Sequence, residues 1–472
     1  MTTSFETDIP ARLDNLVWSR WHWRVVVALG ITWMLDGLEV TIVGALGSVL
    51  QEPATLGLTA TQVGASGSVY IAGAIVGALV FGHLADRHGR KRLFLVTLTL
   101  YVIATTATAF SVDFGTFALC RFFTGMGIGG EYAAINSAID ELIPARVRGV
   151  VDLTINGSYW LGTALGAVMS SVLLDPRVLG HAWGFRAAFG LGAVLALAII
   201  LVRRYVPESP RWLMVRARHP EALAIVEAIE AECARVDPSP APCRIRIQVG
   251  EHVGLGRVAS VVFRQYRSRA LLGLALMIAQ AFFYNAIFFT YALTLTQFYG
   301  VAPEHVGHYL LPFALGNFLG PLLLGRAFDV IGRRPMIAFT YAASGTLLLL
   351  TGALFARGML TATTHTIMWS VSFFFASAAA SSAYLTVSEI FPLELRALAI
   401  ALFYAVGTGT GGLVAPILFG MLIESSSRTE LFYGYALAGA LMIAAALVAR
   451  RFGVAAEGRA LEDIAPPLSA RP

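Results

Sequence analysis

Long apolar runs recur along this chain and constrain its fold more than any other feature. About twelve stretches are apolar over roughly 18 residues or more, the length that a helix needs to cross a bilayer. Only 13% of the residues are charged, whereas a soluble domain carries about 25%. The chain is therefore predicted to be an all-α membrane protein. The runs lie near 24–48, 61–84, 93–112, 114–140, 149–175, 184–204, 269–298, 304–327, 336–356, 365–388, 397–424 and 429–450.

A long polar stretch divides these runs into two groups of six. Most Arg residues fall in loops on one side, and the positive-inside rule then predicts that both termini face the cytoplasm, with the chain in the cell inner (plasma) membrane. The net charge of +5 reflects this topology and does not indicate nucleic acid. The predicted parts are a cytoplasmic segment 1–23, an N-terminal bundle 24–204, a cytoplasmic linker 205–268, a C-terminal bundle 269–450 and a cytoplasmic tail 451–472.

Two short motifs occur once in each half. The first reads G-x-x-x-D-x-x-G-R-[KR] and joins the second and third spans of each half. The second reads E-x-x-P-x-x-x-R-[GA] and joins the fourth and fifth spans, with Glu and Arg spaced to pair across the turn. The first motif could instead be a simple topological anchor and the second could instead contact substrate, but we expect the residues of both to form a conformational latch. They are Gly82, Asp86, Gly89, Arg90, Glu141, Arg148, Asp329, Gly332, Arg333, Glu389 and Arg396.

The first motif resembles the loop motif of the major facilitator superfamily of secondary transporters. Pro207-Glu-Ser-Pro-Arg-Trp-Leu213, after the sixth span, is similar to an element of the sugar-porter branch. The resemblance implies a major facilitator fold of twelve transmembrane helices in two pseudo-symmetric six-helix bundles. It also implies a substrate site near the midplane and bundles that rock about that site. We expect a monomer in the lipid bilayer.

Ionisable residues inside the predicted spans are costly and mark functional positions by default. Asp36 and Glu39 lie at i, i+3 in the first span, and Arg121 lies at a matching depth in the fourth. A pair between Glu39 and Arg121 could be a titrating site or a static anchor. Glu131, in Gly129-Gly-Glu-Tyr132, either faces the cavity or pairs with Arg121.

Family resemblance assigns a role to these charges. The run from Asp36 to Gly44 is similar to the first-helix motif of aromatic-acid:proton symporters, although Glu39 replaces the usual Asp. In sugar:proton symporters an Asp at the Glu39 position pairs with an Arg at the Arg121 position. The resemblance therefore implies Glu39 as the proton carrier, with Asp36 as the second candidate.

The seventh span carries polar and aromatic residues that suit a substrate site. Its segment from Gln280 through Tyr284 and Asn285 is similar to a sugar-porter run in which the amides bind substrate hydroxyls. Polar Asn156, Tyr384 and Tyr404 are further candidates, and interhelical hydrogen bonding is the alternative role for the amides. The Trp residues of the sugar-porter site are absent, since Tyr384 and Thr408 stand in their regions.

These features together predict proton-coupled symport of a small organic solute, with an organic or aromatic acid favoured. The alternatives are a sugar or polyol:proton symporter, an uncoupled facilitator, or a transporter-like nutrient sensor. The sequence shows no nucleophile–base constellation, phosphate loop or metal-ligand cluster, so we expect no enzyme activity, no cofactor and no metal.

Overall fold

The computed structural model describes residues 4–50, 52–58, 60–173, 179, 181–203, 207–234, 245–248, 255–288, 291–301, 306–392 and 395–466. Two predicted latch side chains, those of Asp86 and Arg90, lie outside the described part, and so does the Pro-rich stretch 237–242.

Long helices dominate the described residues, and eight of them are long and apolar enough to span a membrane by length and composition. The elements of the first half and the linker are β1 (Ser4–Thr7), α1 (Ile9–Asp14), α2 (Arg20–Leu50), α3 (Ala60–His88), α4 (Arg90–Ala109), α5 (Phe114–Leu142), a 3₁₀ turn (Ala145–Val147), α6 (Arg148–Leu173), α7 (His181–Arg203), α8 (Pro210–Val215), α9 (His219–Glu232), β2 (Ile245–Gln248), α10 (Leu255–Ser260) and a π turn (Val261–Gln265). Those of the second half and tail are α11 (Arg267–Phe288), α12 (Tyr291–Tyr299), α13 (Val306–Val330), α14 (Arg333–Ala356), α15 (Ala362–Glu389), α16 (Arg396–Glu424), α17 (Arg428–Phe452) and α18 (Leu461–Ile464).

The helices of the two halves pack in the same pattern. In the N-terminal half α2 packs on α6 and α3 on α5, and in the C-terminal half α11 packs on α16 and α13 on α15. The halves meet where α6 contacts α13 and where α3 contacts α16. This repeated pairing is the internal symmetry that the repeated motifs predicted.

Only one or two residues connect the second and third long helices of each half. Gly89 alone separates α3 from α4, with a φ of 98°, and Gly332, with a φ of 115°, directly precedes α14. A side chain on either glycine would also collide with a carboxylate, that of Glu208 or of Glu457. Glu208 accepts a hydrogen bond from the Lys91 amide at 3.3 Å, and Glu457 accepts one from the Arg333 amide at 3.2 Å. These carboxylates satisfy free N–H groups in the first turn of the following helix.

We call the end of the bundle that holds Gly89 and Gly332 the motif end. The N-terminal segment packs there against the linker. Strand β1 pairs antiparallel with β2, and Ile9 and Leu13 of α1 join a buried apolar cluster with Val226 and Ile229 of α9. Helix α9 lies within residues 219–236, a stretch of helix-forming composition. The strands were not predicted from the sequence.

Candidate functional site

The first and fourth long helices hold a buried ion pair. The guanidinium of Arg121 on α5 contacts the carboxylate of Glu39 on α2, and both side chains are 2% exposed. A charge left alone at this depth costs several kcal/mol, so each residue is tolerated because the other is present. The matching depths of Glu39 and Arg121 predicted from the sequence thus correspond to a direct contact. The role of this pair in proton coupling stays a prediction.

Tyr70 on α3 links this pair to the second acid of α2. Its hydroxyl donates a hydrogen bond of 2.8 Å to Oδ1 of Asp36, and its ring lies 4.5 Å from the guanidinium carbon of Arg121. Asp36 is as deeply buried as Glu39. The side chain of Tyr70 therefore contacts both the carboxylate of Asp36 and the guanidinium that neutralises Glu39.

Glycines bring Tyr70 this close to α5. A Cβ added at Gly125 would overlap the backbone oxygen of Tyr70, and one at Gly77 would overlap the backbone of Met126. The missing side chains let α3 and α5 approach along small-residue faces, as is common between membrane helices. Since Gly125 is one turn from Arg121, this close approach sets the Tyr70 ring against the guanidinium.

Glu131 is also buried on α5, but one of its two predicted arrangements is excluded. Helix α5 runs without interruption from Phe114 to Leu142. The ten positions between Arg121 and Glu131 therefore correspond to about 15 Å along the helix axis. Two side chains on the same helix cannot bridge that distance, so the predicted pair between Glu131 and Arg121 is wrong. That Glu131 faces the cavity stays a prediction.

Aromatic rings join the two halves beside these charges. From the N-terminal half, the ring of Trp160 lies 5.8 Å from Tyr284, 5.7 Å from Phe288 and 5.7 Å from Phe313. The ring of Trp33 lies 6.3 Å from Tyr384. These spacings are those of favourable edge-to-face and tilted pairs.

The predicted substrate residues of the C-terminal half extend this aromatic contact. Tyr384 lies 6.5 Å from Tyr404. The Tyr284 hydroxyl donates to Oδ1 of Asn317 at 2.8 Å. An aromatic surface with a few fixed polar groups therefore lines the contact between the halves, which is the usual composition of a small-molecule site.

The three predicted amides are partly engaged by their own helices. The amide nitrogen of Asn156 donates to the Asp152 carbonyl at 2.9 Å, and that of Asn285 donates to the Ala281 carbonyl at 2.7 Å. The Gln280 nitrogen lies 3.9 Å from the Met277 sulfur, a weak acceptor. Each contact uses one of the two N–H donors of the amide. The side chains remain candidates for accepting a hydrogen bond from a substrate.

At the motif end, Asp329 of α13 stabilises the beginning of a helix in the other half. Its carboxylate accepts hydrogen bonds from the backbone amides of Gly149 at 3.1 Å and Val150 at 2.8 Å. Both amides belong to the first turn of α6, where the helix dipole favours a negative charge. Asp329 also pairs with Arg333 at 2.7 Å. A residue of the repeated turn therefore joins the two halves directly.

The second pair of motifs is also connected across the halves. Arg148 lies 3.8 Å from Glu389, and Arg396 lies 3.9 Å from Glu141. The spacing of the motif predicted pairing within each turn and did not predict these crossed pairs. Arg333 holds Glu389 in place through two hydrogen bonds of 3.1 Å. All of these side chains are buried, so opening this end would expose and separate several charges.

The N-terminal segment and the tail meet the same network. Asp14 of α1 lies 3.5 Å from Arg148 and 3.3 Å from Arg211 of α8, and Arg211 lies 3.4 Å from Glu462 of α18. One arginine of the P-E-S-P-R-W-L element therefore connects the N-terminal segment to the tail. Asp14 and Glu462 lie in polar stretches of the chain. The sequence alone therefore does not distinguish them from ordinary solvent-exposed acids.

Sequence reasoning also missed three residues inside the spans. Tyr70, Trp160 and Asn317 lie in apolar runs where a single aromatic or amide residue is common. Asn317, as a buried amide in the eighth run, carried the same signal as Asn156 and could have been found. Tyr70 and Trp160 carried no signal of their own, because only the approach of other helices shows what their rings contact.

The fold and the buried charges define a polytopic membrane transporter of the major facilitator superfamily. The model of the family described as "Sugar (and other) transporter" matches residues 45–467, and the chain belongs to that family. It is a transporter and not an enzyme.

Relatives and a solved structure agree with this assignment. The chain is 27% identical over 470 residues to the niacin transporter NiaP of Acinetobacter baylyi, covering 97% of this chain and 99% of the relative. It is 26% identical over 350 residues to the 4-hydroxybenzoate transporter PcaK of the same organism, covering 73% of this chain and 74% of the relative. It is similar in fold to the proton:xylose symporter XylE bound to 6-bromo-6-deoxy-D-glucose, with a TM-score of 0.78, 18% identity, and 94% of this chain and 98% of that chain covered.

Proposed function

We propose that this chain is a proton-coupled symporter of a small aromatic acid. The observation that carries the proposal is the buried pair of Glu39 and Arg121, set beside Asp36 and the aromatic contact between the halves. A proton on Glu39 removes the charge that holds Arg121. The guanidinium is then free to receive another anion, and a substrate carboxylate fits it by bidentate hydrogen bonding.

Charge balance links the proton to the substrate. The described spans of the N-terminal half hold Asp36, Glu39 and Glu131 against Arg121. If all four are ionised, a substrate carboxylate entering this region meets a net negative charge in a medium of low dielectric constant. Protonation of an acid lowers that cost. An acidic solute is therefore expected to bind together with at least one proton, whereas a neutral solute has no such requirement.

The substrate class follows from the rings that surround the site. Trp33, Trp160, Tyr284, Tyr384 and Tyr404 offer flat apolar faces with hydroxyl and indole groups at their edges. A six-membered aromatic ring stacks on such faces. Two relatives support this choice, since one is named a niacin transporter and another a 4-hydroxybenzoate transporter.

Movement between the two access states would depend on the motif end. There Asp329 bonds to the first turn of α6, and the crossed ion pairs close the same region. We propose that this network holds the cytoplasmic side shut and breaks when that side opens. In this proposal both termini face the cytoplasm, the membrane is the plasma membrane, and the transporter works as a monomer.

Uptake by proteoliposomes tests the proposal. Purified protein is reconstituted with an inward proton gradient and offered labelled 4-hydroxybenzoate, nicotinate or xylose, with and without a protonophore. We expect accumulation of one aromatic acid above its equilibrium concentration, which the protonophore abolishes. Accumulation that survives the protonophore would contradict proton coupling.

A thermal-shift panel at acidic and neutral pH gives an independent measurement of binding. A ligand that binds the folded state raises the melting temperature by mass action, and an aromatic acid should do so more strongly at acidic pH. The sugar alternative has its own support in the amides of Gln280 and Asn285. Stabilisation by xylose and none by the acids would favour it and overturn the aromatic proposal.

A further inference from the structure

A groove runs along the outer face of the N-terminal half between α4 and α7. It has a volume of about 510 Å³ and is lined largely by apolar groups, among them Val102, Trp183, Gly190 and Leu197. The volume falls within the range of about 300–1,000 Å³ that is usual for small-molecule sites. The groove lies on the surface that faces the bilayer, away from the contact between the halves.

A single charged side chain, Arg186 of α7, lies among the residues that line this groove. Its guanidinium donates a 2.7 Å hydrogen bond to the carbonyl of Ala109, the last residue of α4, and lies 4.8 Å from the centre of the Phe185 ring. Among the described residues Arg186 forms no ion pair. The negative end of the α4 dipole holds the cation there, and its other N–H donors are available to a phosphate.

The position of Arg186 matches the level of lipid headgroups. Helix α4 begins at the motif end, so Ala109 and Arg186 lie at the opposite end of the bundle. Trp183, three positions before Arg186, is 71% exposed, as expected of a side chain at the membrane interface. A long basic side chain next to an apolar groove extends its charged group to that interface.

The length of the groove matches one acyl chain in one leaflet. Leu197, at its far end, is eleven positions after Arg186 on α7, which corresponds to about 16 Å along the helix. Half of a hydrocarbon core is about 15 Å thick. Gly190 lies between the two, and a Cβ added there would meet no heavy atom within 4 Å. A flexible chain could therefore lie directly against the backbone of α7.

We propose that this groove binds one phospholipid, with the phosphate on Arg186 and an acyl chain extending past Gly190 to Leu197. The proposal concerns a site other than the transport site and does not depend on which solute is carried. Basic pockets between membrane helices bind lipid headgroups by the same chemistry.

Native mass spectrometry of delipidated, purified protein tests the site. The probes are phosphatidylglycerol, a diacylglycerol with the same chains but no phosphate, and inorganic phosphate. We expect one phosphatidylglycerol per chain at low concentration, with the diacylglycerol and the free phosphate at least tenfold weaker. Arg186→Gln should weaken phosphatidylglycerol binding by about tenfold, the usual size of one charge-assisted contact, and Arg186→Lys should recover part of the loss.

Filling the groove gives a second, independent variant. Gly190→Leu has room for its side chain and should weaken phosphatidylglycerol binding while the thermal stability of the lipid-free protein is kept. Matched controls are Arg357→Gln, which removes an exposed arginine at the end of α14, and Val168→Phe, which adds bulk at an exposed position of α6. Equal binding by Arg186→Gln and wild type, equal binding of diacylglycerol, or binding of phosphate alone would each overturn the proposal.

Discussion

Asp329 offers a direct test of how the two halves are held together at the motif end. Its carboxylate accepts hydrogen bonds from the amides of Gly149 and Val150, at 3.1 and 2.8 Å, across the contact between the halves. Asp329→Ala removes both. Because Arg333 keeps its bonds to Glu389, the substitution does not leave that arginine without a partner.

The expected cost can be worked from the contacts. Removing a capping carboxylate from the first turn of a helix costs about 0.5–2 kcal/mol. Asp329 belongs to one half and α6 to the other, so the energy is lost only from the state in which the halves touch at this end. A cost of about 2 kcal/mol would shift the equilibrium toward the opened state by about thirtyfold. Asp329→Asn keeps an acceptor oxygen and should shift it less.

Cysteine labelling measures this shift. Ser388 is fully buried beside Glu389, and Ser388→Cys, in a background without the native cysteines, reports opening through its rate of reaction with a maleimide. Asp329→Ala should speed labelling by about two- to thirtyfold, the range that corresponds to this cost. Glu221→Ala removes only an exposed carboxylate that pairs with Arg218, and it should leave the rate unchanged. An unchanged rate in Asp329→Ala, with normal thermal stability, would refute the assignment of Asp329 as a latch.

Four further predictions concern single side chains. Glu39→Gln should abolish proton-driven accumulation yet keep exchange of substrate, because the amide mimics the protonated acid; unchanged accumulation in proteoliposomes would remove Glu39 from coupling. Arg121→Ala should lower uptake below a tenth of wild type and destabilise the protein by about 3–5 kcal/mol, since it leaves Glu39 buried and unpaired; wild-type uptake and melting temperature would contradict this. Tyr70→Phe should slow uptake several-fold through loss of the hydrogen bond to a carboxylate, and Tyr70→Leu, which also loses the ring contact, should slow it more; equal rates for the two variants would argue against a role for the ring. Cys233 should react with iodoacetamide slowly at neutral pH and faster at alkaline pH, because burial raises the pKa of its thiol and only the thiolate reacts; rapid labelling at neutral pH, read by mass spectrometry, would refute it.

Much of the fold could be predicted because membrane insertion acts on local sequence. An apolar run is a span whatever its neighbours are, and a glycine between two such runs allows the backbone to turn with positive φ, as it does at Gly89 and Gly332. Repeated motifs then predicted two similar halves. The depths of Glu39 and Arg121 could be counted along their helices, so their contact could also be predicted from the sequence.

The contacts between distant helices could be identified only from the tertiary structure. The sequence contains Asp329 and the beginning of α6 but does not say that one stabilises the other, since 180 positions separate Asp329 from Gly149. Likewise the ion pair between Arg148 of one half and Glu389 of the other, and the contact of Tyr70 with Asp36, depend on how packed helices are rotated. Hydrophobicity along the chain determines which segments enter the bilayer. The partners of the polar groups inside it are selected by side-chain packing between distant segments, and only the folded structure contains that information.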